Sequence, residues 1–153
     1  MFKYLSVLSF LSLAFPVHAQ MVEDWQINCS ESSCTVARTA IASETGQRSA
    51  TFFAAIEKAT DTTTIGVIAP LGVALEPGVR LVFGDTSVIA EMSVCFPDGC
   101  RAIVKENAVD VTKSESVDVR YFPFGSKGPL AVLVALDGIE NALDEARKQL
   151  GEN

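Results

Sequence analysis

A turn sequence lies between two cysteines in the segment Cys95-Phe96-Pro97-Asp98-Gly99-Cys100. Pro-Asp-Gly favours a tight turn, so Cys95 and Cys100 can face each other across two adjacent strands. The same spacing of cysteines recurs at Cys29 and Cys34. The pattern favours two local disulfides, although the four cysteines of the chain allow three pairings, and cross-pairing between the two clusters stays open.

Two other uses of the cysteines are alternatives to structural disulfides. A four-thiolate metal site usually contains Cys-x2-Cys knuckles, whereas both pairs here have four intervening residues. A redox-active thiol pair is the second alternative. Structural bridges are favoured because disulfides persist in exported proteins, where each small loop would be stabilised by about 2 kcal/mol on the chain-entropy estimate.

The segments around the cysteines are short, rich in β-prone residues and separated by Gly, Pro, Asp and Ser. Predicted strands cover residues 25–29, 34–39, 50–57, 63–68, 73–75, 79–83, 87–96, 101–105, 117–122 and 130–136. Many short strands at this spacing predict an all-β sandwich or barrel rather than alternating βαβ units. The run 130–136 is continuously apolar, which favours a central strand covered on both faces.

One helix is predicted, at the C-terminal end. Ile139, Leu143, Ala146 and Leu150 recur at helical spacing, so they should form one buried stripe that docks on the sheet. Gly151 is placed to end this helix.

The first 19 residues have the pattern of a Sec-type signal peptide. A basic start at Lys3 precedes an apolar run over residues 4–15, and Val17-His18-Ala19 ends it with small residues at the positions that a signal peptidase recognises. We therefore expect cleavage after Ala19 and a single domain over residues 20–153. No later stretch is long and apolar enough for a transmembrane anchor, so a periplasmic or secreted protein is expected.

Charge and composition narrow the possible functions. The chain carries 12 basic and 19 acidic side chains and a net charge of −7, which disfavours nucleic-acid binding. Its one histidine, His18, lies in the predicted leader, so mechanisms that need an imidazole base or ligand are excluded for the mature protein. The acidic residues fit a solvated surface better than a catalytic pair. We expect no enzyme activity, no cofactor and no metal site.

Several motifs follow one another along the chain: Trp25 before Cys29 and Cys34, Pro70-Leu-Gly-Val73, Leu75-x-Pro-Gly-Val79, Cys95-x3-Gly99-Cys100-x-Ala102 and Leu136-x-Gly138-Ile139. In this order they resemble the motifs of the invasion associated locus B proteins of Gram-negative bacteria. The resemblance covers nearly all of the mature chain. It implies an immunoglobulin-like β-sandwich exported to the periplasm or outer envelope. Some pathogenic members are associated with host-cell invasion, and the resemblance brings no catalytic residue with it.

The function expected from these observations is a non-catalytic binding module that contacts a protein partner in the envelope or on a host surface. Tyr121, Phe122 and Phe124 crowd around Pro123 before a glycine-rich loop, and exposed aromatic residues often anchor interfaces. The alternative is that these aromatics fill the core, as we expect for Trp25. A periplasmic thiol-redox or stress-related protein is the alternative function.

Overall fold

A computed structural model describes residues 19–22, 24–41, 48–105 and 109–152. Within these residues the chain forms ten strands and one α-helix. The strands are β1 (Ala19–Val22), β2 (Trp25–Cys29), β3 (Ser33–Ile41), β4 (Arg48–Glu57), β5 (Thr62–Ala69), β6 (Val79–Phe83), β7 (Thr86–Phe96), β8 (Gly99–Ile103), β9 (Ser116–Tyr121) and β10 (Leu130–Ala135), and the helix is α1 (Ile139–Glu152). The predicted signal peptide lies outside the described residues, except for Ala19, which begins β1.

The strands pair as one antiparallel sheet in the order β1-β2-β3-β4-β5-β8-β7-β6-β9-β10. The strands fold into two layers, one with β1 to β5 and β8 and the other with β6, β9 and β10. Strand β7 belongs to both layers, because Thr86–Ala90 pairs with β6 and Glu91–Phe96 pairs with β8. The register shifts between Met92 and Val94. This register shift lies close to the point where β7 passes from one layer to the other. An irregularity of this kind bends a strand and increases its twist.

Large apolar side chains join the two layers in the core. Phe52 of β4 makes an edge-to-face contact with Trp25 of β2 at 6.4 Å and with Phe83 of β6 at 6.2 Å, measured between ring centroids. Alternate residues of β9, Val117, Val119 and Tyr121, face the same core. The predicted all-β sandwich is therefore confirmed, and Trp25 is a core residue.

Helix α1 packs on β2 and β3 through the predicted stripe. Ile139, Leu143, Ala146 and Leu150 are all buried, and Ala142 is buried with them. The Trp25 indole N–H donates to the carbonyl oxygen of Asp137 at 2.8 Å, which fixes β2 against the start of the helix. The prediction that Gly151 ends the helix is wrong, because α1 continues to Glu152.

Two strand predictions are also wrong. Strand β10 was predicted to be central, but it lies at the edge of the sheet. Its outer face is not covered, since Leu133 is 67% exposed. The apolar run is explained by its inner face, where Val134 is buried, while Leu133 and its neighbours on the outer face meet solvent. Residues 73–75 form no strand, since Val73 makes only a single bridge to Pro123.

Both local disulfides are present, joining Cys29 to Cys34 and Cys95 to Cys100. In each case the two cysteines are direct partners across a hairpin. Gly99 precedes the second bridge with a φ of +140°, and a Cβ at this position would lie 2.5 Å from the carbonyl oxygen of Ala69. This close approach to β5 explains why glycine stands before Cys100.

Candidate interaction surface

Two loops are joined side by side at one end of the sandwich. The backbone N–H of Ala74 donates to the carbonyl oxygen of Phe122 at 2.8 Å, and the N–H of Phe124 donates to that of Gly72 at 2.6 Å. The bridge between Val73 and Pro123 lies between these bonds. The loop after β5 and the loop after β9 therefore hold each other in one conformation.

These joined loops present three apolar side chains to solvent. Leu71 is 58% exposed, Leu75 is 53% exposed and Phe124 is 85% exposed. We call these three residues the apolar tip. An exposed group of large apolar side chains is unfavourable in water unless a partner covers it, so the apolar tip is the first candidate for an interface.

The three aromatic residues predicted as contacts lie in different environments. Tyr121 is buried at 3% exposure, Phe122 is half-buried and Phe124 is exposed. Strand alternation turns Tyr121 toward the core and Phe122 toward the outer face. Of the three, Phe124 is therefore the strongest candidate for a contact. The structure adds Leu71 and Leu75 as candidate contacts. In the sequence, these two residues lie in the motifs Pro70-Leu-Gly-Val73 and Leu75-x-Pro-Gly-Val79, which contain Pro and Gly.

The ionisable groups with shifted pKa values have structural explanations. Burial raises the pKa of Tyr121. The pKa of Asp110 is lowered, first by the Thr112 hydroxyl, which donates to its carboxylate at 2.7 Å, and then by Lys113 and the Thr112 N–H. Asp110 thereby caps the short 3-10 turn Val111–Lys113. In the described ranges, no three His, Cys, Asp or Glu side chains form a group that could hold a metal ion.

The hairpin closed by Cys95 and Cys100 satisfies its own charged groups. Arg101 donates two hydrogen bonds of 3.1 Å to the carboxylate of Asp98, and its guanidinium lies 4.5 Å from the centre of the Phe96 ring. All four cysteines are oxidised, so the chain has no free thiol. The part of the chain that the structure describes contains no helix long and apolar enough to cross a membrane.

Comparison with protein families supplies the identification. The model of the invasion associated locus B (IalB) protein family matches residues 25–147 of the chain. The chain belongs to the IalB family. The crystal structure of invasion associated protein b from Bartonella henselae has the same fold as this IalB chain, with a TM-score of 0.71 and 18% sequence identity. The alignment covers 86% of this chain and 97% of that chain. No curated protein sequence matches this chain significantly.

The IalB motifs recognised in the sequence occupy distinct structural positions. Trp25 anchors β2 to the start of α1, and Gly99 allows β8 to approach β5. The motif Pro70-Leu-Gly-Val73 forms part of the joined loops. Two of these motifs thus maintain the core, while the third carries Leu71 of the apolar tip.

Proposed function

We propose that this IalB chain is an exported, non-catalytic binding module that contacts a protein partner of the envelope or of a host surface through its apolar tip. The observation that carries the proposal is the exposure of Phe124, which is 85% accessible on a loop held by backbone hydrogen bonds. Large aromatic side chains are the residues on which interfaces most often depend.

Energetic considerations support the apolar tip as a contact surface. Full burial of one such side chain contributes about 1.5–3 kcal/mol. The bonds from Ala74 to Phe122 and from Phe124 to Gly72 already order the two loops. Because the loops are ordered before binding, less conformational entropy is lost when a partner covers them.

Export is supported by the two disulfides, since such bridges are rare in the reducing cytoplasm, and by membership of the IalB family. We propose a periplasmic or secreted location with signal-peptide cleavage after Ala19. N-terminal sequencing of the protein from the envelope and culture medium should begin at Gln20. Recovery of an uncut chain with reduced cysteines would contradict this location.

Cross-linking in intact cells tests the partner contact. A photo-reactive amino acid at position 71 should yield an adduct of defined mass, identified by mass spectrometry. The same group at position 133, which is exposed on the edge strand β10 and outside the apolar tip, should not yield this adduct. The substitution Phe124→Ser should abolish the adduct, because it removes the largest apolar side chain of the tip.

The matched control is Leu133→Ser, which alters another exposed apolar residue and should leave the adduct intact. Both variants should keep their thermal unfolding midpoints, since substitutions of exposed residues usually change stability by less than about 0.5 kcal/mol. Persistence of the adduct in Phe124→Ser would rule out the apolar tip as the contact. An equal loss of adduct in Leu133→Ser would do the same.

A further inference from the structure

A small pocket lies on the outer face of the layer that contains β6, β9 and β10. It has a volume of about 220 Å³ and is lined by Arg80 and Arg120 together with Ile89, Phe122, Pro77 and Pro129. It shares no residue with the apolar tip. Two guanidinium groups thus stand in a small, mostly apolar cavity of a chain that carries an excess of acidic side chains.

The two arginines are direct partners across β6 and β9. Like charges opposite each other destabilise a sheet, so an anion that contacts both guanidinium groups would stabilise the pair. Asp118 supplies one to Arg120, since its Oδ2 accepts from Nε at 2.8 Å and from Nη2 at 2.6 Å. The guanidinium of Arg80 makes no ion pair or hydrogen bond with any residue that the structure describes. Among the described residues, one of the two positive charges in the pocket therefore has no counter-charge.

The composition of the pocket defines the complementary ligand. A guanidinium group binds a carboxylate through two parallel hydrogen bonds, and these charge-assisted bonds are among the strongest in proteins. The apolar walls contributed by Ile89 and Phe122 favour an apolar group next to that carboxylate. A volume of 220 Å³ is below the range of about 300–1,000 Å³ typical of sites for drug-sized ligands, so the apolar group must be compact.

We propose that this pocket binds a carboxylate attached to a compact apolar group. The carboxylate lies between Arg80 and Arg120, and the apolar group contacts Ile89 and Phe122. Asp118 positions the guanidinium of Arg120 from the other side. Two sources carry this chemistry: a free small organic acid, and the C-terminal residue of a protein when that residue is apolar.

A titration of the purified, disulfide-bonded protein distinguishes these sources. One ligand is 3-phenylpropionate and the other is the peptide acetyl-Gly-Gly-Phe with a free C-terminal carboxylate, and each is compared with its amide. NMR shift changes at Ile89 and Phe122 report binding in the pocket. At least one acid should bind about tenfold or more tightly than its amide, because the amide cannot form charge-assisted bonds as an anion does.

Binding of the free acid alone would identify the ligand as a small organic acid, and binding of the peptide alone would identify it as a protein C-terminus. Binding of both would support a site for any carboxylate attached to a compact apolar group. Failure of both acids to bind, or equal binding of acid and amide, would overturn the proposal. These ligand comparisons use the unaltered protein, so they do not depend on how a variant folds.

The substitution Arg80→Gln should weaken binding of the acid about tenfold or more. The control is Arg147→Gln, which removes the same charge from the exposed side of α1 and should leave the affinity unchanged. Unchanged affinity in Arg80→Gln would exclude the pocket as the site, whatever the result for the apolar tip.

Discussion

At the scale of single residues, solvent exposure differs sharply between neighbours on the chain. Tyr121 is the last residue of β9 and faces the core, whereas Phe124, three positions later, is exposed in the joined loops. Side chains alternate between the two faces of a strand, and this alternation turns Tyr121 toward the core. The hydrogen bond from the Phe124 N–H to Gly72 fixes the loop that presents the second.

The burial of Tyr121 predicts its titration. Because burial raises its pKa, the folded protein should release the phenolic proton at a higher pH than the unfolded chain, which ionises near 10. The unfolded state then binds fewer protons, so the free energy of unfolding should fall as pH rises above about 10. Tyr4 lies in the predicted leader, so ultraviolet absorbance of the chain from Gln20 onward reports Tyr121 alone. Equal midpoints in native and denatured protein would contradict this burial.

At the scale of elements, the helix and the edge strand use apolar residues differently. In α1 every position of the predicted stripe is buried against β2 and β3. In β10 the inner-facing Val134 is buried while the outer-facing Leu133 is exposed. The apolar residues of α1 and β10 therefore contribute to the core only from the inner side of each element. The apolar residues on the outer side of β10 add little to the stability of the fold.

This difference predicts unequal effects of the same substitution. Leu143→Ala should lower the free energy of unfolding by about 2–5 kcal/mol, because it leaves a cavity under α1. Leu133→Ala should change it by less than about 0.5 kcal/mol, because that side chain meets solvent. Urea unfolding followed by the fluorescence of Trp25 measures both values. A loss for Leu133→Ala as large as that for Leu143→Ala would show that the outer face of β10 is covered.

At the scale of the whole molecule, the core rather than the disulfides joins the two layers. Each disulfide links two strands that are already neighbours. Contacts such as that between Phe52 and Phe83, and the passage of β7 between layers, hold the sandwich together. The bridges therefore stabilise hairpins within a fold whose architecture depends on buried apolar side chains.

Removal of one bridge should weaken the fold without abolishing it. The double substitution of Cys95 and Cys100 by alanine should lower the free energy of unfolding by about 2 kcal/mol on the chain-entropy estimate. The same change at Cys29 and Cys34 is the matched comparison, because both bridges have a sequence separation of 5 and should contribute similarly. Denaturant titration with circular dichroism measures the two losses. A variant that is unfolded without denaturant would show that its bridge is essential to the sandwich.

The amino-acid sequence by itself determined the local features of this protein. Strands β2 and β6 begin and end at the predicted residues. The four residues predicted to form the buried stripe of α1 are buried, and each cysteine pair forms the predicted local disulfide. These features depend on turn residues and side-chain periodicity within a few positions. Such signals are contained in the sequence itself.

Only the tertiary structure decided which surfaces remain open. The position of β10 at the edge, the exposure of Leu71 and Leu75, and the meeting of Arg80 with Arg120 all depend on strand order. Strand order arises from pairing between distant segments, and an apolar run has the same composition at the centre or the edge of a sheet. The candidate surfaces therefore became visible only when the layers were assembled, because a side chain's exposure is set by its neighbours in space.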